Sequence, residues 1–340
     1  MNARIRELKP RDMVLPAMSD IPGLSYRSFR GQKDYPCILS VITSSKKMDG
    51  IERSLTLDDI EHVYTHLVNS DPFKDMVFVE VDGEVVGYAH VRWRQVLNGP
   101  CIFLLGGFVH GQWRRKGIGR ALLHWNETCA RQIAADLPNN SERFFATEAA
   151  DTELGAHPLF HLEGYKPERY FFDMIRDLSK PISALPLPVG VEVRPASKEH
   201  FRSIWDADQE AFKDHWSHIP GTEEDYQSFI SHKTTVPSRW KVAWAGDIVA
   251  GMVLNFVDED ENAEYTRKRG YTENICVRRP WRRMGLARAL LTQSLQMFQE
   301  QGYAEAALEV DAQNRSGALG LYESVGFRVV KEFITYRKPM

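Results

Sequence analysis

The segment VHGQWRRKGIGRALL at 109–123 returns as VRRPWRRMGLARALL at 277–291. A string that recurs with its arginines, its small residues and its closing Ala-Leu-Leu in the same places implies an internal duplication. The chain must therefore fold as two versions of one architecture. In each version a short apolar run (Phe103 to Val109, Ile275 to Val277) predicts a buried strand. A basic turn follows, Arg114-Arg115-Lys116-Gly117-Ile118-Gly119 or Arg282-Arg283-Met284-Gly285-Leu286-Ala287. An amphipathic helix comes next, with Leu290, Leu291, Leu295 and Phe298 spaced along one face of the second copy.

A strand that feeds a small-residue turn into a helix leaves several backbone N–H groups aimed at one spot. The helix dipole adds partial positive charge there, so the turn suits a pyrophosphate. Glycine or alanine is needed because a larger side chain would hold the phosphates off the backbone. Other anion-binding loops fit less well. Neither turn has the G-x-G-x-x-G spacing of the dinucleotide fingerprint, and no G-x-x-x-x-G-K-[ST] string occurs.

With 340 residues, 43% of them hydrophobic, the chain has enough material for two cores of about 150 residues each. A net charge of −3 argues against a general nucleic-acid binder and against an anionic-membrane partner. No apolar run approaches the roughly 20 residues of a membrane span. The opening MNARIRELKPRDM lacks the apolar segment of a secretory signal. Cys37, Cys101, Cys129 and Cys276 show neither metal-ligand spacing nor a disulfide framework, so no metal is expected. A cytoplasmic protein, monomer or homodimer, is the expectation.

The proline-rich stretch at 179–189 has no periodicity and reads as a linker. The expected domains are 1–178 and 190–340. Corresponding hairpins flank it, Val77–Val81 with Glu84–Ala89 around Asp82-Gly83, and Lys241–Trp244 with Asp247–Val253 around Ala245-Gly246. Mixed strands and helices of these lengths indicate an α/β fold in which the helix after the basic turn packs on a central mixed sheet.

The turn R-x-x-G-x-G/A after a strand resembles motif A of the GNAT superfamily of N-acetyltransferases, and the two-copy layout is similar to the tandem branch that includes mycothiol synthase. The resemblance is strongest over 246–337, good over 77–125 and loosest in the first 70 residues. It implies two tandem GNAT-like domains and acetyl-CoA as co-substrate. It also implies a splayed gap between the fourth and fifth strands of each domain, where acetyl-CoA inserts. The acceptor would be a primary amine on a small molecule.

The copies diverge after the turn. The second reads LEVDAQNRSGALGLYESVGF to Phe327, similar to the family pattern in which an asparagine clamps the pantetheine arm and a tyrosine protonates the departing thiolate. The matching residues are Asn314 and Tyr322. A phenol is protonated at neutral pH and can yield its proton as a thiolate develops. The first copy reads ATEAADTELGAHPLFHLEGY, which sets Phe160 against Tyr322 and Thr152 near Asn314. Phe160 has no proton to give, so the first copy is expected to be catalytically silent, unless His157 or His161 serves instead. For the amine base the ranking is Glu309, then Glu273, with Asp311 third. The resemblance implies that the strand carrying Ile275, Cys276 and Val277 lies beside pantetheine, with Val109 in the first copy. His215 and Trp216 either line the amine site or, for Trp216, fill an ordinary half-buried position. A CoA-binding sensor without turnover is the alternative from another class.

Overall fold

A computed structural model describes residues 21–314 and 316–340, so the opening MNARIRELKPRDM lies outside the described residues. The chain forms two compact units. Unit 1 comprises residues up to Glu168 together with Thr335–Met340, and unit 2 runs from Arg169 to Ile334.

In unit 1, β1 (Leu24–Arg27), β2 (Met76–Val81), β3 (Glu84–Gln95), β4 (Cys101–Val109) and β5 (Arg143–Ala150) lie side by side in that order. The β2–β3 hairpin turns on Asp82 (φ 51°) and Gly83 (φ 85°), the left-handed pair that a two-residue turn between twisted strands requires. Helices α1 (Tyr35–Asp49), α2 (Leu57–Thr65) and α3 (Pro72–Asp75) precede β2. Then α4 (Ile118–Ala135) follows β4, and α5 (Ala156–Leu162) follows β5. The last residues of the chain close this unit, where the Met340 N–H donates to the Arg143 carbonyl at 3.1 Å.

Strand β6 (Lys166–Asp177) then enters unit 2. There β6 is followed across the sheet by β11 (Glu305–Asp311), β10 (Arg269–Val277), β9 (Ile248–Phe256), β8 (Lys241–Ala245) and β7 (Glu192–Arg194). Helices α6 (Phe201–Ala211) and α7 (Glu223–Ser231) precede β8. After β9 come α8 (Glu259–Glu264), α9 (Leu286–Glu300), α10 (Ala318–Ser324) and finally β12 (Arg328–Pro339). Two cores sandwich this sheet. One is built on α9 with Leu290, Leu291, Leu295 and Phe298, and the other on α6 and α7 with Ile204, Trp240, Met252 and Leu254. The helices α2 and α7 start alike. Thr56 and Thr222 each accept from the backbone N–H three residues on, while Asp59 and Asp225 accept in return.

The α/β fold with two units stands as the sequence indicates, and 179–189 carries no helix or strand. The compact units divide between Glu168 and Arg169. The reason is strand pairing. From Phe171↔Asp311 to Asp177↔Glu305, β6 is antiparallel to β11, so most of the strand that closes the first copy in sequence is hydrogen-bonded inside unit 2.

One close approach in unit 2 tests the packing. A Cβ at Gly270 on β10 would come within 2.3 Å of the Phe298 ring, which is fully buried. Gly270→Ala is expected to destabilise the protein by about 1–3 kcal/mol through overpacking. A lowered urea midpoint at unchanged slope is the readout.

Candidate active site

The basic turns have the geometry that their composition suggests. Arg283 (φ 63°) and Gly285 (φ 82°) are both left-handed, as are Arg115 (φ 63°) and Gly117 (φ 87°). Left-handed residues interleaved with ordinary ones curl successive N–H groups toward one side, forming an anion-binding concavity. Helices α9 and α4 begin straight after Gly285 and Gly117 with no side-chain cap. The N–H groups of Leu286, Ala287 and Arg288 therefore have no intrahelical acceptor. The corresponding residues of the first copy are Ile118, Gly119 and Arg120. The side chain of Met284 is half-exposed at the rim.

The arginines that open the two turns have a different task. In unit 2 the Arg282 guanidinium donates to the Val277 carbonyl (2.9 Å), the Ala211 carbonyl (2.9 Å) and Asp214 (2.9 Å). In unit 1, Arg114 donates to Asp49 and to the Ser45 hydroxyl (2.6 Å). Each guanidinium is thus committed to protein acceptors and fixes the turn against α6 in unit 2 or α1 in unit 1. Only the backbone of these two residues is left for a phosphate.

Beside the turn of unit 2 the sheet opens. The parallel β10–β11 ladder runs through Arg269↔Glu305, Gly270↔Ala306 and Tyr271↔Ala307, then ends, although β10 continues to Val277 and β11 to Asp311. The buried Thr272 hydroxyl donates to the Ala307 carbonyl at 3.3 Å, where the ladder stops. In unit 1 the β4–β5 ladder likewise ends at Leu104↔Ala146. Both units therefore contain the splay that the family resemblance implies.

Opposite the gap, β10 bulges. Its register with β9 shifts between Glu273↔Leu254 and Cys276↔Met252, and Asn274 takes φ 45°. Ile275 and Val277 pack with the α9 core, and Cys276 packs with the α6 core. The Asn274 amide reaches α6 and donates to Asp208 at 3.1 Å. Asp208 is 7% exposed, and burial pushes its carboxyl up to about 6, with the bonds from Asn274 and Gln209 acting the other way. Sequence reading did not single out Asp208, because its role depends on a bulge that no local pattern announces.

Tyr322, in the middle of α10, is 6% exposed and shares a core with Ile275, Val277, Leu286, Leu308 and Val310. That core joins the helix mouth to both strands that flank the gap. Burial holds its phenol well above the ordinary value, and the nearby Glu273 and Cys276 add to the effect. Among the described residues its hydroxyl has no hydrogen-bond partner. Asn314 sits in the β11–α10 turn, where its side-chain oxygen accepts from the Ser316 N–H at 2.8 Å. Of the expected bases, Glu273 is half-buried and within electrostatic reach of Tyr322, whereas Glu309 is exposed opposite Asp173. Asp311 is buried and engaged by Arg169 (2.7 Å) and by the Gln313 N–H (3.0 Å).

The segment after α6 spans from one side of the gap to the other. Asp214 pairs with Arg279 and Arg282 next to the helix mouth, and these arginines hold its carboxyl well below the usual range. His215 and Trp216 then meet the far side. The His215 Nε2 is 3.7 Å from Asp311, and Arg169 lies 5.0 Å from the Trp216 ring centroid. Asp208, His215, Trp216 and Asp311 thus surround the mouth of the splay on the α6 side.

In unit 1 the residue aligned with Tyr322 is Phe160, packed 5.3 Å from the Tyr336 ring. His157 hydrogen-bonds the Tyr336 hydroxyl (2.8 Å) through Nδ1 and the Ala150 carbonyl (2.9 Å) through Nε2. Both of its nitrogens are used. His161 is exposed, edge-on to Tyr336, and Thr152 is exposed. Among the described residues no three potential metal ligands come together, and no helix is long and apolar enough to cross a membrane.

Comparison with known proteins converges on the same architecture. A model of the acetyltransferase (GNAT) family matches residues 45–165 and 201–327. A mycothiol acetyltransferase of Streptomyces scabiei is 27% identical over 263 residues, covering 77% of this chain and 79% of that one. Another, from Salinispora arenicola, is 29% identical over 184 residues, so the aligned part spans about half of its length (55%) and 54% of this chain. A GCN5-related N-acetyltransferase from Sphaerobacter thermophilus superposes with a TM-score of 0.71 at 26% identity, covering 96% of each chain.

The environment of Asp208 has a measurable consequence. Its folded-state pKa lies above the unfolded value, so the fold favours the protonated form and is penalised once the carboxyl ionises. Stability from this group is therefore lost as pH rises from about 4 through about 6. Asp208→Asn is expected to stabilise the protein at about pH 7.5 by on the order of 2–3 kcal/mol, with the gain vanishing near about pH 4. Equal urea midpoints for the two proteins at both pH values would contradict this.

Proposed function

The chain belongs to the acetyltransferase (GNAT) family, and from that premise we propose that unit 2 transfers an acetyl group from acetyl-CoA to a primary amine of a small molecule. The observation that carries this reading is the core shared by the α9 mouth, the two splayed strands and Tyr322. A thioester laid between β10 and β11, with its diphosphate at the uncapped mouth, would end beside a phenol that has no other partner among the described residues.

Each residue then has a definite task. The N–H groups from Arg283 to Ala287 hold the diphosphate, and Arg282 and Asp214 keep the turn in place. The strand edge at Ile275, Cys276 and Val277 runs beside the pantetheine arm, with the Asn314 amide in the turn beyond the end of the opposite strand. An ammonium cannot attack, so a carboxylate must first take its proton, directly or through water. Glu273 is the better placed of the expected bases, being the one within reach of Tyr322. The freed amine attacks the carbonyl carbon, the C–S bond breaks, the thiolate receives the Tyr322 proton, and the proton shed by the new amide nitrogen restores the phenol by way of solvent. The raised pKa keeps that phenol protonated until the thiolate charge develops. Unit 1 retains the turn and the splay but has Phe160 in place of the acid, which supports a non-catalytic role.

Two variants test the assignment. Tyr322→Phe should lower turnover by about 10²–10⁴-fold, the usual weight of a positioned acid, while acetyl-CoA affinity stays near normal. Rates of CoA release with an amine panel, together with calorimetric titration of acetyl-CoA, provide both numbers. Unchanged turnover would remove the acid, and binding without any release would favour a sensor. Gly285→Val places a β-branched residue at φ 82°. It should abolish the roughly 2.7 kcal/mol of stabilisation that a ligand gives at 100 times its Kd. A thermal melt with and without acetyl-CoA reads this.

A further inference from the structure

On β3, residues 88, 90 and 92 share the face that packs toward α1 and α2. Strand pairing aligns this face with its counterpart in the second copy. Gly87 opposes Val109 as Gly251 opposes Val277, so Tyr88, His90 and Arg92 match Met252, Leu254 and Phe256. In unit 2 those positions are core, with Met252 and Leu254 fully buried and Phe256 packed against them. In unit 1 an imidazole and a guanidinium have taken the place of two hydrophobic side chains.

Nothing among the described residues neutralises them. Arg92 enters no ion pair or hydrogen bond, and its Nε is buried without an acceptor. The charged side chain nearest in influence is Arg94, a second cation, and the other groups it feels are the phenols of Tyr64 and Tyr88. Neither phenol has a hydrogen-bond partner of its own among the described residues. His90 lies over β4 at Gly106, where a Cβ would fall 2.2 Å from its Nε2, and it stacks 6.1 Å from Tyr88. Tyr64 continues the wall, 5.4 Å from Tyr35. Both His90 and Arg92 keep some solvent access. Even so, desolvation pushes His90 down to about 3 and lowers Arg92. The half-buried guanidinium thus keeps a buried Nε–H with no acceptor among the described residues.

A guanidinium withdrawn from water without a counter-charge costs free energy, and the second copy shows that the fold fills the same position with phenylalanine. We propose that this half-buried polar patch on β3 of unit 1 binds a small organic carboxylate. The planar anion matches the guanidinium fork, and the hydroxyls of Tyr64 and Tyr88 and the neutral His90 ring surround it with further polar partners. A dianion such as phosphate fits less well, because the single desolvated guanidinium would leave half its charge uncompensated.

The inference concerns unit 1 alone and does not depend on acetyl transfer by unit 2. The whole chain and its Arg92→Met variant are melted in the presence of acetate, benzoate, butyrate or inorganic phosphate, with acetyl transfer assayed in parallel. At least one carboxylate should raise the melting temperature saturably, and Arg92→Met should weaken that binding by about tenfold to a hundredfold, the weight of charge-assisted hydrogen bonds. Without ligand, Arg92→Met should melt no lower than the parent protein. The proposal is overturned if no carboxylate gives a saturable shift, if phosphate alone does, or if Arg92→Met binds undiminished. A marked fall in the ligand-free melting temperature of Arg92→Met would also overturn it, since Arg92 would then be holding the fold. Loss of acetyl transfer on its own would bear only on unit 2.

Discussion

Two parallel strands that stop hydrogen-bonding to each other after three residue pairs set the terms for unit 2. A parallel ladder normally continues, because each unpaired backbone group withdrawn from water costs free energy. Here Thr272 closes the last pairing with its side chain, and the strands then part. The parting exposes backbone edges suited to an extended, amide-bearing chain, and it brings the start of α9 and the side chain of Tyr322 into one core between them. The bulge at Glu273–Cys276 follows from the same geometry. As β10 leaves β11 it also changes register against β9, and Asn274 is turned toward Asp208.

The two copies show which parts of this arrangement are independent. Both keep the left-handed residues at the helix mouth, the half-buried anchor from the opening arginine and the early end of the parallel ladder. They differ in the side chains that face the gap and in those on the opposite face of the sheet. Phe160 replaces the phenol, and His157 is occupied at both nitrogens. On the other face, a fully apolar patch in unit 2 corresponds to one bearing His90 and Arg92 in unit 1. Backbone geometry was retained after duplication while the chemistry of each face changed.

What could be read from the sequence was what local composition determines. The hairpin at Asp82-Gly83, the strand–turn–helix around Gly285 and the placement of Tyr322 on a short helix each depend on a few consecutive residues. The features that escaped depend on partners distant in the chain. Nothing near Arg282 reveals that its side chain is held by Ala211 and Asp214. Strict alternation along 273–277 fails because one extra residue is accommodated in the bulge. Glu309 resembles a base in its Leu-Glu-Val setting, yet its strand leaves it exposed, and Asp208, buried against that bulge, carries no motif at all. The edge of the second compact unit depends on such a partner as well, since β6 finds its hydrogen bonds with β11.

The membership of Thr335–Met340 in unit 1 has a consequence for biosynthesis. Those residues leave the ribosome only after all of unit 2 has been translated. Domains usually fold in order of emergence, but here the earlier unit must wait, one sheet edge incomplete, until the later one has been made. A nascent chain of this kind carries its unfinished edge for the time needed to synthesise a whole second unit.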